Sequence, residues 1–166
     1  EFTHKLLLQI LTRIAHMSVH YQKQAATLFN LIPPAIAPDF LADYDLTVSR
    51  EQAQSITWEI VLLSTYWIYC ALQVGIPDQA GKALWEQIQH QLKDRWESRF
   101  GFVHRPIDQF FADLDTKMKA WNAIVDQGGK PIAILTETAS DIEFKGFVSH
   151  GEKPKLLVFL LDLVPI

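Results

Sequence analysis

The sequence predicts an all-α protein: a bundle of four long antiparallel helices, with a short C-terminal helix or strand-like tail packed on it. Apolar residues recur every three or four positions over long stretches, which is the pattern of one helix face. Proline and glycine pairs separate these stretches. With 166 residues and 49% hydrophobic content, the chain has enough apolar surface for one core, so we expect a single domain over residues 1–166.

The first helix is predicted over residues 3–31, where one apolar stripe runs without interruption. Pro33-Pro34 ends it, because proline lacks the N–H that a helix interior needs. Residues 33–47 contain three prolines and three aspartates. We therefore expect them to form a connection of polar turns.

The second helix is predicted to start near Arg50 and to run to Val74. Ser49 and Gln52 have the spacing of a capping box, which favours a helix start between them. Gly75 is expected to end the helix in the left-handed conformation that glycine adopts easily. The charge-free run of residues 60–76 is near the minimum length of a membrane span, but a buried central helix is the favoured interpretation.

The third and fourth helices complete the predicted core bundle over about residues 3–126. Pro77-Asp78 opens the third helix, which is expected to end around Phe100-Gly101. Pro106 stands where a first helical turn tolerates proline, and Gly128-Gly129 follows the fourth helix. Their predicted inward faces are Ala80, Leu84, Ile88 and Leu92 with Trp85 and Trp96, and then Ile107, Phe110, Phe111, Leu114, Met118, Trp121, Ile124 and Val125.

The C-terminal extension, residues 130–166, has a less definite pattern. Residues 142–148 (IEFKGFV) alternate as a strand would, although the same region also shows helical spacing. Residues 155–164 are apolar enough to be buried in either form. A short helix and a packed tail are the favoured interpretation.

Composition excludes several broad classes of function. A net charge of −4 gives no general attraction for nucleic acid or anionic lipid, so such contacts would require a local cluster of positive charge. The single cysteine cannot form an intramolecular disulfide, which favours a reducing compartment. We expect a cytoplasmic protein without membrane association. The chain begins with Glu1-Phe2, and we keep open that it is a fragment of a longer protein.

Few residues in the sequence fit a metal site, a catalytic nucleophile or an acid–base pair. His16 and His20 lie one helical turn apart, but position 17 is methionine, so the HExxH glutamate is missing. No metal site is predicted. Cys70 lies among apolar residues, which predicts an inert thiol with a raised pKa. The carboxylate pair Asp113 and Asp115 is more typical of helix caps or solvent-facing positions than of an acid and base.

The stretch ESRFGFVHRP, residues 97–106, places an arginine and a histidine at the break between the third and fourth helices. Four residues separate Arg99 from His104. Arg13 and His20 have a similar spacing, but they lie within one predicted helix, so location favours Arg99 and His104. The pattern resembles the R-x4-6-H signature of the HEPN superfamily, helical-bundle domains that include metal-independent ribonucleases. In that family the signature falls at the junction before the last core helix.

The resemblance implies a metal-independent endoribonuclease, or a degenerate relative of one. Such cleavage uses the 2′-hydroxyl of RNA as nucleophile, so the protein supplies a proton-transfer group and positive charge. Arg99 and His104 are accordingly the predicted catalytic residues: His104 exchanges protons and Arg99 holds the phosphate. Arg95 and Arg105 are the predicted substrate-binding residues. The resemblance also implies RNA as a partner, a homodimer, and no metal or cofactor.

The same residues also permit a function without catalysis. Arg95 and Arg99 lie near a predicted helix C-terminus, where they interact favourably with the helix dipole. His104 in that case caps the next helix or pairs with Asp108. The alternative is therefore a non-catalytic interaction or regulatory domain with a protein partner, for which the apolar segment 155–164 is the candidate surface.

Overall fold

The computed structural model describes residues 20–164, and every regular element within that range is an α-helix. The all-α prediction is therefore confirmed for this part of the chain. The described part of α1 covers residues 20–29, and the helices that follow are α2 (Pro38–Ala42), α3 (Arg50–Gly75), α4 (Asp78–Asp94), α5 (Trp96–Phe100), α6 (Ile107–Asp126), α7 (Pro131–Phe144) and α8 (Lys153–Leu163).

Helix α3 is the centre of the fold. It contacts α2, α4, α6 and α7, and every residue from Ile56 to Tyr66 is buried. Among the described helices it is the one long and apolar enough to cross a membrane by length and composition, and 78% of its most apolar 18-residue window is buried. The structure thus encloses most of this helix inside the molecule, as predicted for a core helix.

The predicted start of α3 is confirmed, and the predicted reason for its end is wrong. Ser49 and Gln52 form both halves of the capping box: the Gln52 N–H donates to Ser49 Oγ (3.1 Å), and the Ser49 N–H donates to Gln52 Oε1 (2.8 Å). Gly75, however, is the last helical residue and does not have a positive φ. The helix ends at Ile76, which is extended (φ −135°, ψ 142°) because Pro77 disfavours the helical conformation in the residue before it.

The predicted third helix is interrupted once. Arg95 departs from helical geometry (φ −111°, ψ 15°) and separates α4 from the five-residue α5. Gly101 then ends α5 in the left-handed conformation (φ 70°), and its N–H donates to the Glu97 carbonyl. Pro106 is the N-cap of α6 rather than its first helical residue. The loop of residues 101–106 between these helices has the sequence GFVHRP, whereas Arg99 and Phe100 belong to α5.

Two details near the N-terminus and in α6 differ from prediction. The connection of residues 33–47 contains a helix, α2, which Pro38 begins because its φ is already helical. Val125, which was predicted to lie on the inward face of the fourth helix, is 47% exposed. The fully buried residues of that helix are Phe110, Leu114 and Trp121, which were also predicted to face inward. Most of the predicted first helix, residues 3–19, lies outside the described residues.

The C-terminal extension forms two helices, α7 and α8, so the favoured helical interpretation holds for this region and the strand-like alternative was wrong. Alternation in residues 142–148 would bury Phe144 beside Ile142, but Phe144 is 90% exposed. This region is helical because helical spacing places five residues of α7 on one buried face: Ile134, Leu135, Thr138, Ala139 and Ile142. Helix α8 packs on α7 and buries three further apolar residues: Leu156, Phe159 and Leu160.

Candidate functional site

A cleft of about 790 Å³ opens between the segment before α2, the first turns of α3 and the loop between α5 and α6. We call it the arginine groove. Arg50, His104 and Arg105 supply its charged and ionisable groups, and the residues that line it include no Asp or Glu. Its full lining is Ala35, Ile36, Ala37, Pro38, Arg50, Gln54, Thr57, Phe100, Gly101, Phe102, Val103, His104 and Arg105.

Hydrogen bonds to α3 hold both walls of the arginine groove. The Ile36 N–H donates to Thr57 Oγ1 (3.1 Å), which fixes the wall before α2. Gln54 Nε2 donates to the Gly101 carbonyl (3.3 Å), which fixes the opposite wall. The two loops thus have defined positions although neither contains regular structure.

An aromatic cluster fixes the loop that carries His104 and Arg105. The Trp58 ring meets Trp96, Phe102 and Phe110 in edge contacts, with centroid distances of 5.6, 5.3 and 5.6 Å. Trp96 Nε1 also donates to the carbonyl of Arg105 (2.6 Å). The backbone that presents His104 and Arg105 is therefore anchored in the core, while the His104 side chain is exposed.

The positive charge of the arginine groove is not neutralised by residues 20–164. Arg105 donates through Nη2 to the neutral Ser55 hydroxyl (2.8 Å), and its guanidinium lies 5.4 Å from the Trp58 ring centroid. Neither Arg50 nor Arg105 forms an ion pair with a carboxylate in that range. Arg50 and Arg105 are thus the cationic residues that line the groove, although the Arg105 guanidinium contacts Ser55 and Trp58, which do not line it. Sequence patterns did not indicate Arg50, because 54 positions separate it from His104.

Arg99 has a different environment from His104. Its Nη2 donates to the Ile32 carbonyl (2.6 Å), just beyond the end of α1, and its guanidinium lies 5.2 Å from the Phe29 ring centroid. Partial burial lowers the pKa of Arg99, and the nearby charge of Arg95 acts in the same direction. Arg99 does not line the arginine groove. Its guanidinium instead binds the backbone that follows α1.

The other predicted site residues divide between the groove and the surface. His104 and Arg105 lie together in the groove, and no ion pair joins His104 to Asp108 within the described chain. Arg95 is exposed at the end of α4 and does not line the groove. Of the four predicted residues, the structure thus brings two to the same cleft.

A second cavity, of about 330 Å³, adjoins the arginine groove, and we call it the side pocket. His104 and Arg105 line both cavities. The other residues that line the side pocket are Ser55, Trp58, Glu59, Pro106, Gln109, Asp113, Lys145 and Phe147. Asp113 is held there by two donors: Trp58 Nε1 (3.1 Å) to Oδ2, and Gln109 Nε2 (2.7 Å) to Oδ1.

A four-residue ion network lies behind the side pocket and joins α3, α6 and the end of α7. Glu59 is 3% exposed; its Oε1 lies 2.6 Å from Lys145 Nζ, and its Oε2 lies 3.1 Å from Lys117 Nζ. Asp141 also pairs with Lys117 and with Lys145. Two carboxylates and two ammonium groups balance, which offsets much of the cost of burying Glu59.

The pKa values of the network follow from these pairings. Burial alone would raise the pKa of Asp141, but hydrogen bonds and charge from Lys117 and Lys145 outweigh it and lower the pKa. Burial alone would lower the pKa of Lys145, but Asp141 and Glu59 outweigh it and raise the pKa. Both groups are therefore held in their charged forms.

The remaining sequence candidates lie apart from these cavities. Burial raises the pKa of the Cys70 thiol, as predicted, although its side chain is half-buried rather than enclosed. His20 is exposed and hydrogen-bonds with Gln24, and His16 lies outside the described residues. Among residues 20–164, no group of three or more His, Cys, Asp and Glu side chains has the arrangement of a metal site.

Comparisons with models of known protein families, with curated protein sequences and with solved structures found no match. The groove, the side pocket and the residues that line them are therefore the features from which a function is inferred.

The geometry predicts that Arg99→Ala lowers the free energy of unfolding by about 1–3 kcal/mol, because the Ile32 carbonyl loses a charged donor. Urea denaturation measures the change. Arg95→Ala is the matched control: its exposed guanidinium is expected to contribute less than about 0.5 kcal/mol. Equal stability of wild type and Arg99→Ala would contradict a stabilising role for this hydrogen bond.

The lowered pKa of Asp141 predicts a pH-dependent contribution to stability. Because the folded-state value lies below the unfolded value of about 3.9, the contribution is present above pH 4 and is lost as pH falls through the folded-state pKa. Asp141→Asn should therefore be less stable than wild type at pH 7, by about 1–2 kcal/mol, with the gap closing as pH falls below about 4.

Urea denaturation across this pH range tests the expectation. Asp115→Asn is the control, since its pair with Lys119 is exposed and should contribute little at any pH. A wild-type advantage over Asp141→Asn that stays constant down to pH 2 would show that the carboxylate is not held charged by the network.

Proposed function

We propose that this chain is an RNA-binding domain of the HEPN type, a four-helix bundle in which the arginine groove receives the phosphodiester backbone. The observation that carries the proposal is the placement of Arg50, His104 and Arg105 around one cleft with no acidic residue in its lining. The chain as a whole carries a net charge of −4, so this local excess of positive charge is not a consequence of composition.

The chemistry of the groove suits a phosphodiester. Arginine binds phosphate oxygens through a planar fork of N–H donors, and Arg105 has donors left after its bond to Ser55. Arg50 lies at the N-terminus of α3, where the helix dipole adds to the attraction for an anion. The apolar part of the lining, which includes Ala37 and Val103, suits sugar and base surfaces between phosphates.

The HEPN resemblance adds a second candidate function, metal-independent cleavage of the bound RNA. His104 is the favoured proton-transfer group, because it is exposed and lines the cleft beside Arg105. In this proposal Arg105 and Arg50 supply the positive charge that was predicted to come from Arg99. The Arg99 guanidinium is not free for this role, because it donates to the Ile32 carbonyl just after α1. A homodimer, which the resemblance implies, remains part of the proposal.

The alternative of an interaction domain built on residues 155–164 has less support. Four apolar residues of that segment are buried: Leu156, Phe159, Leu160 and Val164. Val158 and Leu161 remain partly exposed, at 53% and 43%. Because most of the segment packs against the rest of the fold, it leaves little apolar surface for a partner.

RNA binding predicts a salt dependence that follows the groove arginines. For single strands the slope of log K against log salt changes by about 0.7 for each phosphate contact. Arg50→Gln and Arg105→Gln should each weaken binding of a single-stranded oligonucleotide and reduce the slope by that amount. Fluorescence anisotropy at several salt concentrations measures both quantities.

Lys82→Gln provides the matched control for loss of one positive charge, because Lys82 is exposed on α4 and does not line the groove. Equal losses in all three variants would mean that the chain binds RNA by overall charge rather than in the groove. Circular dichroism checks that each variant is folded.

If the domain is a metal-independent ribonuclease, the purified chain should cut single-stranded RNA in EDTA. The product should carry a 2′,3′-cyclic phosphate, since the 2′-hydroxyl is the nucleophile. His104→Ala should abolish the activity, and His90→Ala, which removes an exposed histidine of α4 paired with Asp94, should not. A substrate with a single deoxynucleotide at the cut position should resist. If wild type leaves RNA intact, the cleavage proposal fails and RNA binding alone remains.

A further inference from the structure

The side pocket contains a carboxylate whose orientation is fixed by two donors. Trp58 Nε1 donates to one oxygen of Asp113 and Gln109 Nε2 donates to the other. A carboxylate oxygen accepts two hydrogen bonds, so each oxygen keeps one acceptor position. The Asp113 carboxylate, which lines the pocket, therefore keeps acceptor capacity on both of its oxygens.

The volume and the other walls of the side pocket suit a flat heterocycle. Its volume of about 330 Å³ falls within the range of small-molecule sites, about 300–1,000 Å³. Phe147 is partly exposed and provides aromatic surface for a base to pack against, whereas the Trp58 ring is enclosed by its aromatic neighbours. Lys145 adds a donor for a carbonyl oxygen and is held in place by Glu59.

The side pocket also adjoins the proposed phosphate site, because His104 and Arg105 line both cavities. A nucleotide whose phosphate contacts Arg105, which lines both cavities, can place its base in the pocket. Of the four RNA bases, guanine is the one with two adjacent donors, N1–H and the 2-amino group, on its Watson–Crick edge. These donors match a carboxylate, and the neighbouring O6 of guanine accepts from a cation.

We infer that the side pocket selects guanine in the bound RNA, with Asp113 as the specificity-determining residue. This inference rests on the proposed RNA-binding function and adds a base preference to it. Adenine and cytosine each offer one donor next to an acceptor, and uracil offers a single donor between two acceptors. Each of them would direct a lone pair at the carboxylate or leave one of its acceptors unmatched.

Titration of the full chain with 5′-GMP, 5′-IMP and 5′-AMP, followed by calorimetry, tests the inference. GMP should bind about tenfold more tightly than AMP, the equivalent of one well-made hydrogen bond to a charged group. IMP lacks the 2-amino group and should fall between them. Because these comparisons use the unaltered protein, they do not depend on the folding of any variant.

Asp113→Asn should reduce the preference for GMP over AMP to less than about twofold, since the amide replaces one acceptor with a donor. Asp115→Asn is the matched control, because Asp115 is on the same helix, is exposed, and does not line the pocket. Equal binding of GMP and AMP by wild type, or an unchanged preference in Asp113→Asn, would overturn the inference.

Binding of an oligouridine strand separates this inference from the proposed function. If oligouridine binds with the expected salt dependence but GMP and AMP bind equally, guanine selection is wrong and RNA binding stands. If neither the strand nor any nucleotide binds, both are wrong. Tight GMP binding that Asp113→Asn reduces, together with salt-dependent strand binding, supports both.

Discussion

The burial of α3 around its full circumference is the constraint on which the rest of the structure depends. Every residue from Ile56 to Tyr66 is buried, so no side of this part of the helix faces solvent. The other helices must therefore surround it, and α2, α4, α6 and α7 all contact it. Both cavities open beside its N-terminal half, where Arg50, Gln54 and Trp58 contribute to their walls.

Because α3 is enclosed, a charged side chain on its buried part requires partners of opposite charge from the neighbouring helices. Glu59 lies within the buried run, and an unpaired carboxylate there would cost several kcal/mol. Lys117 on α6 and Lys145 at the end of α7 supply the compensating charge. The pairing fixes the positions of these helices relative to α3, and it holds Lys145 at the wall of the side pocket.

Elements that depend on local chemistry were predictable from the sequence. The capping box of Ser49 and Gln52 gave the start of α3, and the apolar periodicity of α6 gave its buried face apart from Val125. The end of α3 was placed within one residue, but for the wrong reason, because Pro77 acts on Ile76 while Gly75 stays helical. For residues 130–164 a short helix was favoured but a strand stayed open, because both periodicities coexist there, and the packing of α7 on α3 and α8 decided between them.

The sequence by itself determined the helical class, the break before His104 and the location of a histidine and arginines at that break. Tertiary structure decided which of those side chains share a cleft: His104 and Arg105 line the groove, while Arg99 turns to the Ile32 carbonyl. It also brought Arg50 to the same groove. The reason is that sequence patterns record interactions within a few helical turns, whereas the direction of a long side chain depends on which distant backbone groups need a partner.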